Sequence, residues 1–133
     1  FPGTGELYHN EDYATRSCSL TIRTPEDESS RNYIKIYSDS GDLVSTIAIN
    51  SGDSAKVWLP AGQYRIKNAY SDGGWFGEED LFGDDGVYNV LKNGSGDNEL
   101  FQLQKNYAYT LSLRTSGGSG DDVDTESEDR NAF

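Results

Sequence analysis

The sequence predicts an all-β domain, a seven-stranded antiparallel β-sandwich carrying one long acidic loop rich in glycine and aromatic residues. Three observations predict it. Short segments alternate apolar and polar residues, Ser-Gly-Asp at 40–42 and 51–53 and Pro-Ala-Gly at 60–62 place a turn roughly every ten residues, and no i, i+3, i+4 apolar pattern lasts three turns. Crossover helices are therefore missing, and with them any parallel βαβ packing.

Residues 1–16 show no period and read as linker, with Leu7, Tyr8 and Tyr13 as the sizeable side chains. Residues 18–24 alternate, placing Cys18, Leu20 and Ile22 on one face. After the polar break at 25–30, residues 33–37 alternate with Ile34 and Ile36 inward. A turn at 38–42 leads into 43–50, where Leu43, Ile47 and Ile49 share a face. Residues 55–59 turn Ala55, Val57 and Leu59 inward, and 63–67 return with Tyr64 and Ile66 buried. Two more strands follow the acidic loop, at 100–104 and 107–113. Those seven strands define a domain at 17–114 with enough inward Leu, Ile, Val and Tyr for one core. The remaining 115–133 is poor in apolar residues and like-charged, and reads as a disordered acidic tail or linker.

Charge narrows the partners. The chain has 11 basic and 23 acidic residues, a net −12. Its tail holds six acids and one base, so residues 1–114 keep about −7. An acidic surface without a Lys/Arg cluster repels phosphate backbones, which argues against nucleic acid and anionic membrane. No apolar run approaches the ~18 residues of a membrane span, which argues against direct membrane insertion. Cations, basic proteins and neutral sugars stay compatible. The single cysteine, Cys18, has no intrachain disulfide partner and alternates with core residues. With Phe1 first and no Met anywhere, the chain reads as a processed protein or a segment of a longer one.

Catalysis finds little support. His9 is the only histidine, so neither a nucleophilic triad nor a zinc site can be assembled from residues of matching chemistry. No catalytic residue is expected, and no cofactor other than calcium. Calcium takes six to eight oxygens. Between Lys67 and Lys92 the chain carries six carboxylates and no base: Asp72, Glu78, Glu79, Asp80, Asp84 and Asp85. These are the candidate metal ligands, although EF-hand spacing is absent; a solvated loop anchored by Trp75 and Phe82 is the plainer alternative. Flat rings supply the candidate ligand contacts. Trp58, Tyr33 and Tyr37 point outward on their strands, and Trp75 and Phe76 sit in the acidic loop, as rings that grip sugars do. Coverage of these rings by the loop itself is the competing expectation. Ser-Gly-Asp recurs at 95–97 and 119–121 and is good turn chemistry. Asn93-Gly-Ser95 is a glycosylation sequon.

The stretch Val57-Trp-Leu-Pro-Ala-Gly-Gln-Tyr-Arg-Ile66 resembles the strand–Leu-Pro-x-Gly-x-Tyr–strand hairpin of prealbumin-like sandwiches. These include carboxypeptidase regulatory-like domains and the Cna protein B-type repeats of Gram-positive surface proteins. The resemblance implies that Gly62 permits the turn and Tyr64 plugs the core. It implies a non-catalytic structural or adhesive accessory module, extracellular or in the bacterial cell envelope, with neighbouring domains in a longer chain. B-type repeats often carry a Lys–Asn isopeptide link; no motif here singles out Lys35 and Asn106 for it. The expected function is protein or glycan contact within a larger surface protein, made by the 72–86 loop with Trp75, Phe76 and Phe82 fixing its shape and its acids setting its potential; the alternative is a carbohydrate-binding module, calcium-stabilised. A cytosolic regulatory domain is a third reading.

Overall fold

The computed structural model describes residues 1–24, 31–71, 73–92, 99–113, 124–127 and 133, with Asp85 and 124–127 described by their backbone only. The order is β1 (Gly5–His9), a 3-10 turn (Glu11–Tyr13), β2 (Cys18–Arg23), β3 (Arg31–Ser38), β4 (Leu43–Ile49), β5 (Ser54–Leu59) and β6 (Gly62–Ser71). A second 3-10 turn (Gly83–Asp85) precedes β7 (Val87–Lys92), β8 (Leu100–Leu103), β9 (Ala108–Ser112) and β10 (Asp124–Ser127). The fold is all-β, as expected, but with ten strands among the described residues where seven were expected.

The strands form two sheets. The larger runs β1-β4-β3-β6-β7-β10, and the smaller β5-β2-β9. Strand β6 is ten residues long and pairs with β3 along its length; its other edge takes β8 at 62–65 and β7 at 67–70. Pairing is antiparallel except between β2 and β9, which run parallel from Ser19↔Ala108 to Arg23↔Ser112. The all-antiparallel expectation is corrected there. Its cause is connectivity: β9 comes from the last part of the core and joins β2 on the side opposite β5.

One apolar core lies between the sheets. Cys18, Leu20 and Ile22 of β2 and Val57 and Leu59 of β5 meet Ile34, Ile36, Ile47, Ile49, Tyr64 and Ile66 of the larger sheet. Alternation located most of these residues. In β4 it placed Leu43 inward, whereas the register shifts between Ile36 and Tyr37 and Val44 enters the core instead. A bulge changes the parity of a strand, so the face read from Ile47 and Ile49 does not carry back to Leu43.

Three strands escaped the periodicity. β1 lies within the stretch expected to be linker; it pairs with β4 and is exposed at Glu6, Leu7 and Tyr8, so no apolar face marks it. β7 has four consecutive buried residues, Tyr88 to Leu91, because both of its faces are covered, and two-sided burial erases alternation. β10 lies inside the expected disordered tail and pairs with β7, while Phe133 is buried. The break at 60–61 also differs from a hairpin. β5 and β6 belong to different sheets, so the chain changes layers at Pro60. Tyr64 fills the core beneath this corner, and its hydroxyl donates to the Pro60 carbonyl at 2.6 Å. Gly62 is not in the left-handed region, and a Cβ there would make only ordinary contact with Tyr64. The Ser-Gly-Asp turns at 40–42 and 51–53 do use left-handed glycines, Gly41 (φ 96°) and Gly52 (φ 79°). The other two, and the sequon, lie outside the described residues.

Removing the corner hydrogen bond while keeping the ring, by Tyr64→Phe, is expected to lower unfolding free energy by about 1 kcal/mol, read as a lower urea midpoint with unchanged slope. An unchanged midpoint would show that the bond contributes nothing to the corner.

Candidate functional site

The acidic loop folds down onto the outer face of the larger sheet. Tyr33, Ala69, Leu81, Phe82, Tyr88 and Phe133 form a second apolar cluster there, with Phe1 and Trp75 packed against it. The Trp75 ring lies 5.1 Å from Phe82 and 5.4 Å from Tyr33, in edge and tilted contacts. Loop backbone closes on itself, Phe76 N–H to the Leu81 carbonyl and Leu81 N–H to the Gly77 carbonyl, both 2.7 Å. Leu81 adopts φ 56°, a left-handed conformation that costs about 1–2 kcal/mol and that its complete burial offsets. Gly83 is left-handed too, and a Cβ on it would meet the Phe76 ring at 3.1 Å; on Gly86 it would strike Phe82 and Tyr88 below 3.0 Å. The glycines thus let aromatic rings close over bare backbone.

This arrangement separates the candidate ligand residues. Tyr33 is 1% exposed and its hydroxyl donates to Glu78 Oε1 at 2.9 Å, so the loop covers it. Burial, ahead of the nearby Glu78 carboxylate, pushes its phenol well above the ordinary range. Trp75 is half-buried under the same loop. Phe76, at 64% exposed, rests on the loop's own glycines. Tyr37 stands half-buried elsewhere on this sheet with Lys67 Nζ 5.3 Å from its ring centroid. Lys35 Nζ lies 4.9 Å from the Phe133 ring, while Asn106 stands in the β8–β9 turn at φ 70°. Among the metal candidates, Glu78, Glu79, Asp80 and Asp84 are exposed. No three carboxylates among the described residues converge on one point; Asp72 and the Asp85 side chain lie outside that description.

Trp58 stands apart, on the outer face of the smaller sheet, 38% exposed. Beside it, where edge strand β1 of the larger sheet meets edge strand β5, is a cleft of about 280 Å³ lined by Glu6, His9, Ala14, Arg16, Lys56, Val57 and Trp58. Arg16 Cζ and Lys56 Nζ each lie 4.9 Å from the Trp58 ring centroid. Each is a cation held over the indole's electron-rich face. His9 also lines the cleft. Its Nδ1 is 2.7 Å from Glu6 Oε2 and its Nε2 is 2.8 Å from the Tyr13 carbonyl, so both nitrogens face acceptors and the charged imidazolium satisfies both. Ser45 Oγ also donates to Glu6. Burial pulls the His9 pKa down, but the Tyr13 carbonyl and the Glu6 carboxylate outweigh it and hold the group above its usual 6.5.

Sequence reasoning singled out Trp58 with Lys56 beside it, but not Arg16 and His9, which complete the cleft. Arg16 fell in the expected linker, and His9 and Trp58 come together only because β1 docks on β4. Cys18 is a satisfied core residue, buried with Sγ 3.3 Å from the Leu59 carbonyl. Against protein-family models, curated proteins and solved structures the chain gives no match, so the chemistry of this cleft rests on its own residues.

Two outcomes follow. Phe82→Ala should lower unfolding free energy by about 3–5 kcal/mol, and Phe76→Ala by far less, because only the first ring is enclosed. Equal losses in urea denaturation would contradict the loop packing. Since the folded state raises the His9 pKa, the stability it contributes is complete below about pH 6.5 and fades as pH rises through the folded value. Melting temperatures between about pH 5 and 8 should show this decline, and His9→Gln should remove it; an identical profile in the variant would refute the charged pair.

Proposed function

We propose that this domain is a non-catalytic prealbumin-like β-sandwich module of a larger bacterial surface protein, extracellular or in the envelope, that makes protein or glycan contact. Glycan is the partner its geometry supports best. One observation carries that reading: Trp58 presents an indole to solvent beside a concave cleft, with hydrogen-bonding and charged groups around it. Sugar sites combine an aromatic platform with a few polar groups in this way. The acidic loop belongs to the scaffold in this reading. Its Trp75 and Phe82 are committed to packing and its Tyr33–Glu78 bond fastens it to β3, so the contact surface is the opposite layer. Neighbouring domains would hold the module in place along the parent chain.

A glycan array tests this. The domain should bind at least one class of immobilised saccharide, and Trp58→Ala should weaken that signal by about tenfold or more while the melting temperature stays within a few degrees. A wild-type protein that binds nothing on a broad array, or a Trp58→Ala variant that binds undiminished, would sink the assignment.

A further inference from the structure

We propose that the cleft beside Trp58 is a subsite for an acidic saccharide, a carboxylate-bearing sugar such as a uronate, with Arg16 and Lys56 receiving the carboxylate and Trp58 the C–H face of the ring. This rests on the glycan-contact reading and gives it a chemical class.

Charge distribution supplies the argument. In a chain of net −12, cations should find carboxylate partners easily. His9–Glu6 and Arg65–Glu99 are among the ion pairs of the described residues. Arg16, Arg23 and Lys56 enter neither, although all three lie on or beside one face. That face, the outer side of β5-β2-β9, has nine outward-facing strand positions: two cations, one indole, five hydroxyls, of which Ser19 is buried, and an alanine, with no acid. Cross-strand register places Thr21 beside both Lys56 and Thr110, and Ser19 beside Trp58. The one carboxylate lining the cleft, Glu6, is taken up by His9 and Ser45. The outward strand positions of this face thus combine cations and hydroxyls without an acid, in a chain of net −12.

Energetics favour an anion there. Contact with Trp58 holds Arg16 and Lys56 in place without neutralising them, and an exposed cation–π contact is weaker than a charge-assisted hydrogen bond. An incoming carboxylate gains the stronger bonds and breaks no ion pair. The acidic surface elsewhere repels long polyanions of any kind, which favours a ligand that also stacks and hydrogen-bonds through hydroxyls. At about 280 Å³ the cleft is at the small end of ligand sites and suits a single sugar residue of a chain running across the face. An acidic peptide shares the charge but offers no ring to lie on the indole.

The test titrates the domain with oligogalacturonate, a neutral galactan of similar length and poly-L-glutamate, by calorimetry at two salt concentrations. Oligogalacturonate should bind, and binding should weaken several-fold between about 50 and 300 mM salt. Lys56→Gln and Arg16→Gln should each weaken it about tenfold with no change in melting temperature, since both side chains are exposed; Trp58→Phe should retain part of it. Equal binding of the neutral galactan would overturn the charge assignment and leave the glycan-contact reading standing. Equal binding of poly-L-glutamate would overturn the saccharide in favour of an acidic protein segment. Failure of all three polymers overturns the proposal, and a simultaneously silent glycan array would take the broader reading with it.

Discussion

Because β3 and β6 lie between two apolar layers, the arrangement of the whole chain follows from the need to cover the larger sheet on both sides. Ile34, Ile36, Tyr64 and Ile66 face the inter-sheet core, while Tyr33 and Ala69 of the same strands face the aromatic cluster. An uncovered outer face would leave Tyr33 and its neighbours as an exposed apolar patch of the kind monomeric proteins avoid. The 73–86 loop, the ends of the described chain at Phe1 and Phe133, and the Tyr33–Glu78 bond all serve that one demand. A left-handed Leu81 is tolerated because the cluster over-determines its position.

Commitment of the loop to the scaffold decides which surface stays available. The loop's exposed acids, Glu78, Glu79, Asp80 and Asp84, sit over the larger sheet, whereas Arg16, Arg23 and Lys56 gather on the smaller one. The outer face of the larger sheet also carries Arg31, Lys35, Arg65 and Lys67, so both signs are mixed there, whereas the outward strand positions of the smaller sheet hold no acid. Trp58 therefore has different surroundings from Tyr33 and Trp75, which pack with the acidic loop.

Legibility varied with how local the physics was. Strands buried on one face, such as β2 and β5, alternate strictly, and their inward residues could be named from the sequence. β7 could not be found this way because Tyr88 faces the aromatic cluster while Leu91 faces the core, so neither parity is polar. β1 is held by pairing with β4 and by Asn10, whose side-chain amide donates to the Leu43 carbonyl and whose backbone N–H donates to that of Val44, contacts 33 and 34 residues away that leave no periodic trace. The six-carboxylate run suggested a metal; of its described members Glu78, Glu79, Asp80 and Asp84 are exposed, and Glu78 accepts from the Tyr33 phenol. Among the ring residues, the sequence could place Tyr33 and Trp58 outward on their strands but could not say which outward face would be roofed.

By itself the order of residues dictated strand character, the turns at Gly41 and Gly52, the inward set of most core strands and the acidity of the long loop, because each depends on neighbours within a few positions. Folding alone decided the rest. It determined which layer each strand joined, that β9 would run parallel to β2, and that His9, Arg16, Lys56 and Trp58 would enclose one cleft. Such relations are set by long-range pairing and by competition for apolar coverage, and no short window of sequence contains both partners.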